Sequence, residues 1–149
     1  IGLISEAGLP GIADPGASVV SLAHQKNIKV IPLTGPSSLF LSLAASGLNG
    51  QEFRFHGYLP IHEKQRIQKI REMIKDVNKR GETQIFIEAP FRNNQLLGSL
   101  LKNCPPETKL CIACDLTNSR EYISTRTISS WKKDTVDFHK RPAVFLLGK

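Results

Sequence analysis

The sequence predicts an α/β protein in two parts, a partial parallel α/β domain (residues 1–49) and a mixed-sheet α/β domain (residues 50–149). Three observations predict it. Ile1 to Ile4 and Ile28 to Leu33 are short apolar, β-branched runs on either side of the helical composition Ala17 to His24, the order of a βαβ unit. Leu48 to Gln51 (LNGQ) is a linker-like break. Beyond it, strand-like and helix-like patterns alternate to the end of the chain.

The first part is read from its turns. Ser5 to Gly16 (SEAGLPGIADPG) holds three glycines and two prolines in twelve residues. Glycine removes the Cβ that would hold a ligand off the backbone, and proline fixes the bend. The second apolar run ends in Thr34-Gly35-Pro36-Ser37-Ser38, before a helix over Leu39 to Ala45 that Gly47 ends and Ser37 or Ser38 is placed to cap. In a parallel sheet both turns fall at the carboxyl ends of strands, where ligands bind.

In the second part, Phe53 to Leu59 alternates as a strand. Ile61 to Lys79 is the clearest helix, with Ile67, Ile70, Ile74 and Val77 forming a buried stripe. Lys64, Arg66, Lys69, Arg71, Lys75, Lys79 and Arg80 occupy much of the rest, a basic surface open to phosphates or simply to water. Thr83 to Glu88 is a strand, and Phe91 to Lys102 a helix with Leu96, Leu97, Leu100 and Leu101 on its apolar side. Lys109 to Cys114, Glu121 to Ile128 and Pro142 to Leu147 read as strands, and Ser129 to Lys133 as a helical turn.

Composition sets the bounds. The 149 residues carry a formal net charge of +7, which permits a polyanionic partner without requiring one. No apolar stretch is long enough to span a bilayer, and no membrane partner is expected. The start lacks the charged region and cleavage pattern of a secretory signal. It also lacks Met and opens inside an apolar run, so more chain is expected before Ile1, in the same sheet. Cys111 and Cys114 form a C-x-x-C, but on a strand residues three apart face opposite sides. With Cys104 they read as structural thiols of a reducing, cytoplasmic setting, and no metal site is expected.

In order along the chain, SEAGLPGIADPG, TGPSS, Gly57-Tyr58-Leu59-Pro60 before a basic helix, Ile87-Glu88-Ala89-Pro90-Phe91-Arg92, the looser Cys114-Asp115-Leu116-Thr117-Asn118, and Phe145-Leu146-Leu147-Gly148 are each matched to a family segment. On these motifs the chain resembles the tetrapyrrole methylase family, most closely its ribosomal RNA small subunit methyltransferase I branch. The resemblance implies a two-domain enzyme that binds S-adenosylmethionine in the cleft between its domains. Carried over by position, the cofactor would meet Ala7, Gly8, Leu9, Pro10 and Ile12, then Ser37 and Ser38, then Ile87, Glu88 and Leu116. No general base is named by the sequence, Glu6 and Glu88 being candidates by position only, and Lys64, Arg66 and Arg92 are candidates for substrate phosphates.

The chain departs from the branch at Glu6 and Leu9, where it has Asp and Thr, at Phe91, where it has His, and in the basic ends of its R-E-L-T-K segment. The branch's N-terminal glycine-rich segment is not in the sequence, so this chain alone is expected to be inactive. The expected acceptor is RNA, in particular that of the small ribosomal subunit, in a reaction like ribosomal RNA 2'-O-methylation. The alternatives are a tetrapyrrole or other small acceptor, and a non-catalytic RNA- or ribosome-binding module that keeps the fold. A homodimer is expected from the family.

Overall fold

Hydrophobic alternation in the second part builds one five-stranded sheet, and helices cover both of its faces. The computed structural model describes residues 1–5 and 8–149. In chain order the elements are α1 (Ala17–Gln25), α2 (Ser38–Ser46), β1 (Phe53–Tyr58), α3 (Glu63–Arg80), β2 (Thr83–Ile87), a 3₁₀ turn (Pro90–Arg92), α4 (Asn93–Asn103), β3 (Lys109–Cys114), β4 (Tyr122–Thr127), α5 (Ile128–Trp131) and β5 (Ala143–Gly148). The strand order is β1-β2-β5-β3-β4. β1 and β2 are parallel, joined by the α3 crossover, and β5 runs antiparallel to both β2 and β3. β4 closes the far edge antiparallel to β3. It follows that β1, β2 and β3 all point the same way, and their carboxyl ends share one edge of the sheet.

The period of two along the strands divides the core. Phe86, Leu110, Ile112, Cys114, Phe145 and Leu147 face the layer of α3, α4 and α5, where Ile70, Met73, Val77, Leu96, Leu100 and Trp131 are buried. Ile85, Cys111, Val144 and Leu146 face the other way and receive Leu39 and Leu43 of α2. Cys111 and Cys114 thus lie on opposite faces, as a strand geometry requires, and all three cysteines are free and buried. Burial pushes the Cys104 and Cys114 thiols up to about 12. α3 ends where Gly81 takes a left-handed φ of 69° and its N–H returns to the Val77 carbonyl.

The structure corrects several expectations. Ile1 to Ile4 and Ile28 to Leu33 form no ladder among the described residues, so the pairing expected of them is not seen within this chain. A strand exists only where its backbone groups find a partner. The five strands pair with one another, while Ile1, Ile4, Ile28, Ile31 and Leu33 stand exposed. Apolar, β-branched composition alone does not supply that partner.

Ser37 sits at the N-cap of α2, but its side chain makes no capping bond. The LNGQ stretch, read as a break, is stitched to the sheet. Asn49 Nδ2 donates to the Gly81 carbonyl (3.0 Å), Thr83 Oγ1 donates to the Asn49 carbonyl (2.8 Å), and Leu48 packs against Gly148 of β5. At the end of α2, Thr125 Oγ1 of β4 donates to the Ser46 carbonyl (2.6 Å). No helix among the described residues is long and apolar enough to cross a membrane.

Candidate functional site

The first glycine-rich loop is shaped by a turn that its residues dictate. Ile12 N–H donates to the Leu9 carbonyl at 3.2 Å, with Pro10 and Gly11 between them and Gly11 at φ 78°. Proline second and left-handed glycine third are the requirements of a type II turn. Gly8 is also left-handed, at φ 82°, and a Cβ built on Gly8 or Gly11 would meet nothing within 4 Å. The main chain of this turn is therefore open to a ligand. Glu6 and Ala7 lie outside the described residues.

The turn abuts the second loop. A Cβ built on Gly35 would sit 3.4 Å from Leu9 Cδ2, so the two loops that resemblance assigned to one cofactor are neighbours in space. Leu9 and Pro10 are half-buried, Ile12 is exposed, Ser37 is buried and Ser38 opens α2. Behind the first loop, Leu3 packs over Gly16 so closely that a Cβ there would lie 2.6 Å from Leu3 Cδ2.

The common carboxyl edge of β1, β2 and β3 gathers the remaining candidates. Ile87 ends β2, Glu88 follows it, and Leu116 lies two residues beyond β3. Glu88 is buried, and a single oxygen, Oε1, accepts three bonds: from Ala89 N–H at 2.7 Å, Arg92 Nε at 3.0 Å and Arg92 Nη2 at 2.7 Å. This is the geometry of a carboxylate that orients its neighbours. Arg92 also lies over the Phe91 ring, with its guanidinium carbon 4.9 Å from the ring centre.

Around Leu116 the backbone is held in unusual conformations. Asp115 and Thr117 have φ of 48° and 65°, and Lys140 in the facing loop has 58°. Side chains hold these loops in place. Arg141 Nε donates to Asp115 Oδ2 at 2.8 Å, Arg141 Nη2 donates to the Arg120 carbonyl at 3.0 Å, and Thr117 N–H donates to Glu121 Oε2 at 2.7 Å. Left-handed non-glycine residues clustered beside a sheet edge suit a built site. Sequence reasoning passed over Asp115 and Arg141; an Asp directly after a buried strand is the one local signal that pointed there.

The substrate candidates separate. Lys64 is exposed and lines an open concavity on α3 with Ile67, Gln68 and Arg71. Arg66 is turned inward instead, 3% exposed, with Nε donating to Ser99 Oγ at 3.1 Å and Nη1 to the Ile61 carbonyl at 2.7 Å. A guanidinium so engaged ties α3 to α4 and to the preceding turn, and offers no free face to a phosphate. The helical register explains the difference, because Arg66, Ile70, Met73 and Val77 share one side of α3.

Comparison with known proteins fits this geometry. In class, the fold is that of α/β methyltransferases. It matches the methyltransferase CobJ with a TM-score of 0.60 at 15% identity, over 95% of this chain and 62% of that one. It also matches the uroporphyrin-III C-methyl transferase of Thermus thermophilus, solved with S-adenyl homocysteine, with a TM-score of 0.51 at 19% identity, over 95% and 63% of the two chains.

In sequence, the chain is 33% identical over 150 aligned residues to ribosomal RNA small subunit methyltransferase I of Buchnera aphidicola, covering 99% of this chain and 51% of that protein. It is 38% identical over 123 residues to the protein of the same name from Vibrio cholerae, covering 83% and 41%. Across most of its length this chain is therefore a relative of the ribosomal RNA small subunit methyltransferase I proteins, and it spans about half of theirs. No family-level profile matches it.

Proposed function

We propose that this chain is the portion of an S-adenosylmethionine-dependent methyltransferase that supplies two cofactor loops and the second domain, and that the whole protein methylates ribosomal RNA. The observation that carries this reading is the approach of the Leu9 turn to Gly35, which makes one surface of two loops far apart in sequence. The open main chain at Gly8 and Gly11 fits a cofactor that must be approached closely.

Gly8, Leu9, Pro10 and Ile12 with Ser37 and Ser38 would hold the cofactor on one side, and Ile87, Glu88 and Leu116 on the other, with Ala7 completing the first loop. When bound, S-adenosylmethionine supplies an electrophilic methyl group and its thioether leaving group. The protein's task is then to hold an acceptor in line. Glu88 serves this by fixing Ala89 and Arg92, and its committed oxygen suits orientation better than proton abstraction. Lys64 and Arg71, on an exposed basic helix of a chain with net charge +7, suit a phosphate backbone.

We take residues 1–49 to belong with the cofactor-side domain and 50–149 to form the second. We place the protein in a reducing cytoplasm, in keeping with its three free, buried thiols. We also take it to pair as a homodimer, as the resemblance to the family implies.

The test is transfer of label from methyl-labelled S-adenosylmethionine by the full-length protein into RNA from cells lacking it. Label in small-subunit ribosomal RNA is the expected result. Label confined to small molecules would replace the RNA reading with the small-acceptor one, and cofactor binding without any transfer would favour a non-catalytic module.

A further inference from the structure

The carboxyl edge of β1 and β2 carries exposed aromatic surface. Tyr58, the last residue of β1, pairs in register with Ile87, the last of β2, and is 64% exposed. Phe91, four residues beyond Ile87, is 60% exposed. Exposed rings at the end of β1 and in the turn after β2 offer π-faces on which a planar group can stack.

The platform is rigid. Pro90–Arg92 is a 3₁₀ turn in which Arg92 N–H returns to the Ala89 carbonyl at 2.8 Å, and Lys140 N–H donates to the Pro90 carbonyl at 2.9 Å. Arg92 is clamped to buried Glu88 while its guanidinium lies on the Phe91 ring. Lys140, on the loop bonded to Pro90 through its N–H, is exposed. An aromatic ring backed by a fixed guanidinium, with an exposed lysine on the adjoining loop, suits an unpaired nucleotide: π-surface for the base, charge for the phosphate.

We propose that Phe91 and Tyr58, braced by Arg92, form a stacking platform for an unpaired base of the RNA substrate. The inference rests on the RNA reading above and assigns it a conformation: the target segment is single-stranded where it meets this edge. Duplex RNA buries its base faces and offers the platform nothing.

The test uses the full-length protein, with Phe91→Ala, Phe91→Trp and Tyr58→Ala variants, and single-stranded and duplex oligoribonucleotides carrying 2-aminopurine. The wild type is expected to prefer the single strand and to change the probe's fluorescence on stacking. Phe91→Ala should weaken single-strand binding roughly tenfold or more, and Phe91→Trp should restore it. Unchanged thermal melting and S-adenosylmethionine affinity would show the variants folded. Single-strand affinity that is equal in wild type and both alanine variants would overturn the platform and leave the methyltransferase reading intact. A wild type that binds cofactor but neither form of RNA would overturn the RNA reading itself.

Discussion

Arg66→Met separates a structural cation from a substrate-binding one. The side chain is 3% exposed, and it donates at 3.1 Å to Ser99 Oγ on α4 and at 2.7 Å to the Ile61 carbonyl ahead of α3. Methionine keeps most of the apolar stem and deletes both donors. Hydrogen bonds from a charged donor are worth about 1.5–3 kcal/mol each when their loss leaves a partner unpaired. Ser99 Oγ still donates to the Gln95 carbonyl at 3.1 Å, so only the Ile61 carbonyl loses its principal partner.

The net loss is therefore about 2 kcal/mol, equivalent to a fall of roughly 4–8 °C in melting temperature for a domain of this size. Arg66→Lys, able to reach one acceptor but not both, should lose about half as much. Urea unfolding followed by tryptophan fluorescence reads the change through buried Trp131. If Arg66→Met leaves the midpoint unmoved while RNA affinity falls tenfold, the guanidinium meets substrate and the reasoning from its burial is wrong.

The remaining predictions concern charge and titration. Cys104 and Cys114 are pushed up to about 12 from an ordinary 9.0, chiefly by burial. Above about pH 9 the unfolded thiols ionise and the folded ones do not, so stability should decline with rising pH between about 9 and 12. At pH 8 a thiol reagent should label the cysteines only on unfolding; rapid labelling of the native protein would contradict their burial.

His56 donates from Nε2 to Gln84 Oε1 at 2.7 Å, yet burial outweighs that bond and lowers its pKa below 6.5. Stability should accordingly fall as pH drops below about 6.5, because the unfolded state takes up this proton first. An NMR titration of the ring is expected to give a midpoint under 6.5, and one above it would refute the assignment. Glu88→Gln weakens both bonds from Arg92, which is 24% exposed. Allowing for that solvent screening, the cost should be about 1–2 kcal/mol by denaturant titration. No change in the midpoint would mean that the pair is not closed in solution.

What the sequence made legible was what local chemistry decides. The Ile67, Ile70, Ile74 and Val77 stripe placed α3, because its period admits one buried face, although Ile67 itself is only half-buried and lines the open concavity beside Lys64. The spacing of Cys111 and Cys114 predicted their divergence, because a strand alternates. Pro10-Gly11 fixed a turn, because only glycine takes its third position cheaply.

What was not legible depends on distant partners. Ile28 to Leu33 has the composition of a strand, but pairing is decided by a neighbour that composition does not encode. Arg66 reads like the other cations of α3 until Ser99 of α4 is placed opposite it. Leu39 and Leu43 of α2 meet Ile85, Cys111, Val144 and Leu146 of the sheet, a contact that no local pattern announces. At the candidate site, the resemblance selected Glu88 and Leu116, while the Arg141–Asp115 tie became visible only when the loops around β3 and β5 met.

Isothermal titration of the full-length protein with S-adenosylmethionine, repeated with Gly8→Val, probes the two-loop surface most directly. The wild type should bind the cofactor with measurable heat, and the valine variant should lose at least tenfold in affinity, because a branched side chain fills space that is open beside a backbone at φ 82°. No heat from the wild type at saturating cofactor, or full affinity in Gly8→Val, would contradict the cofactor role given to these loops.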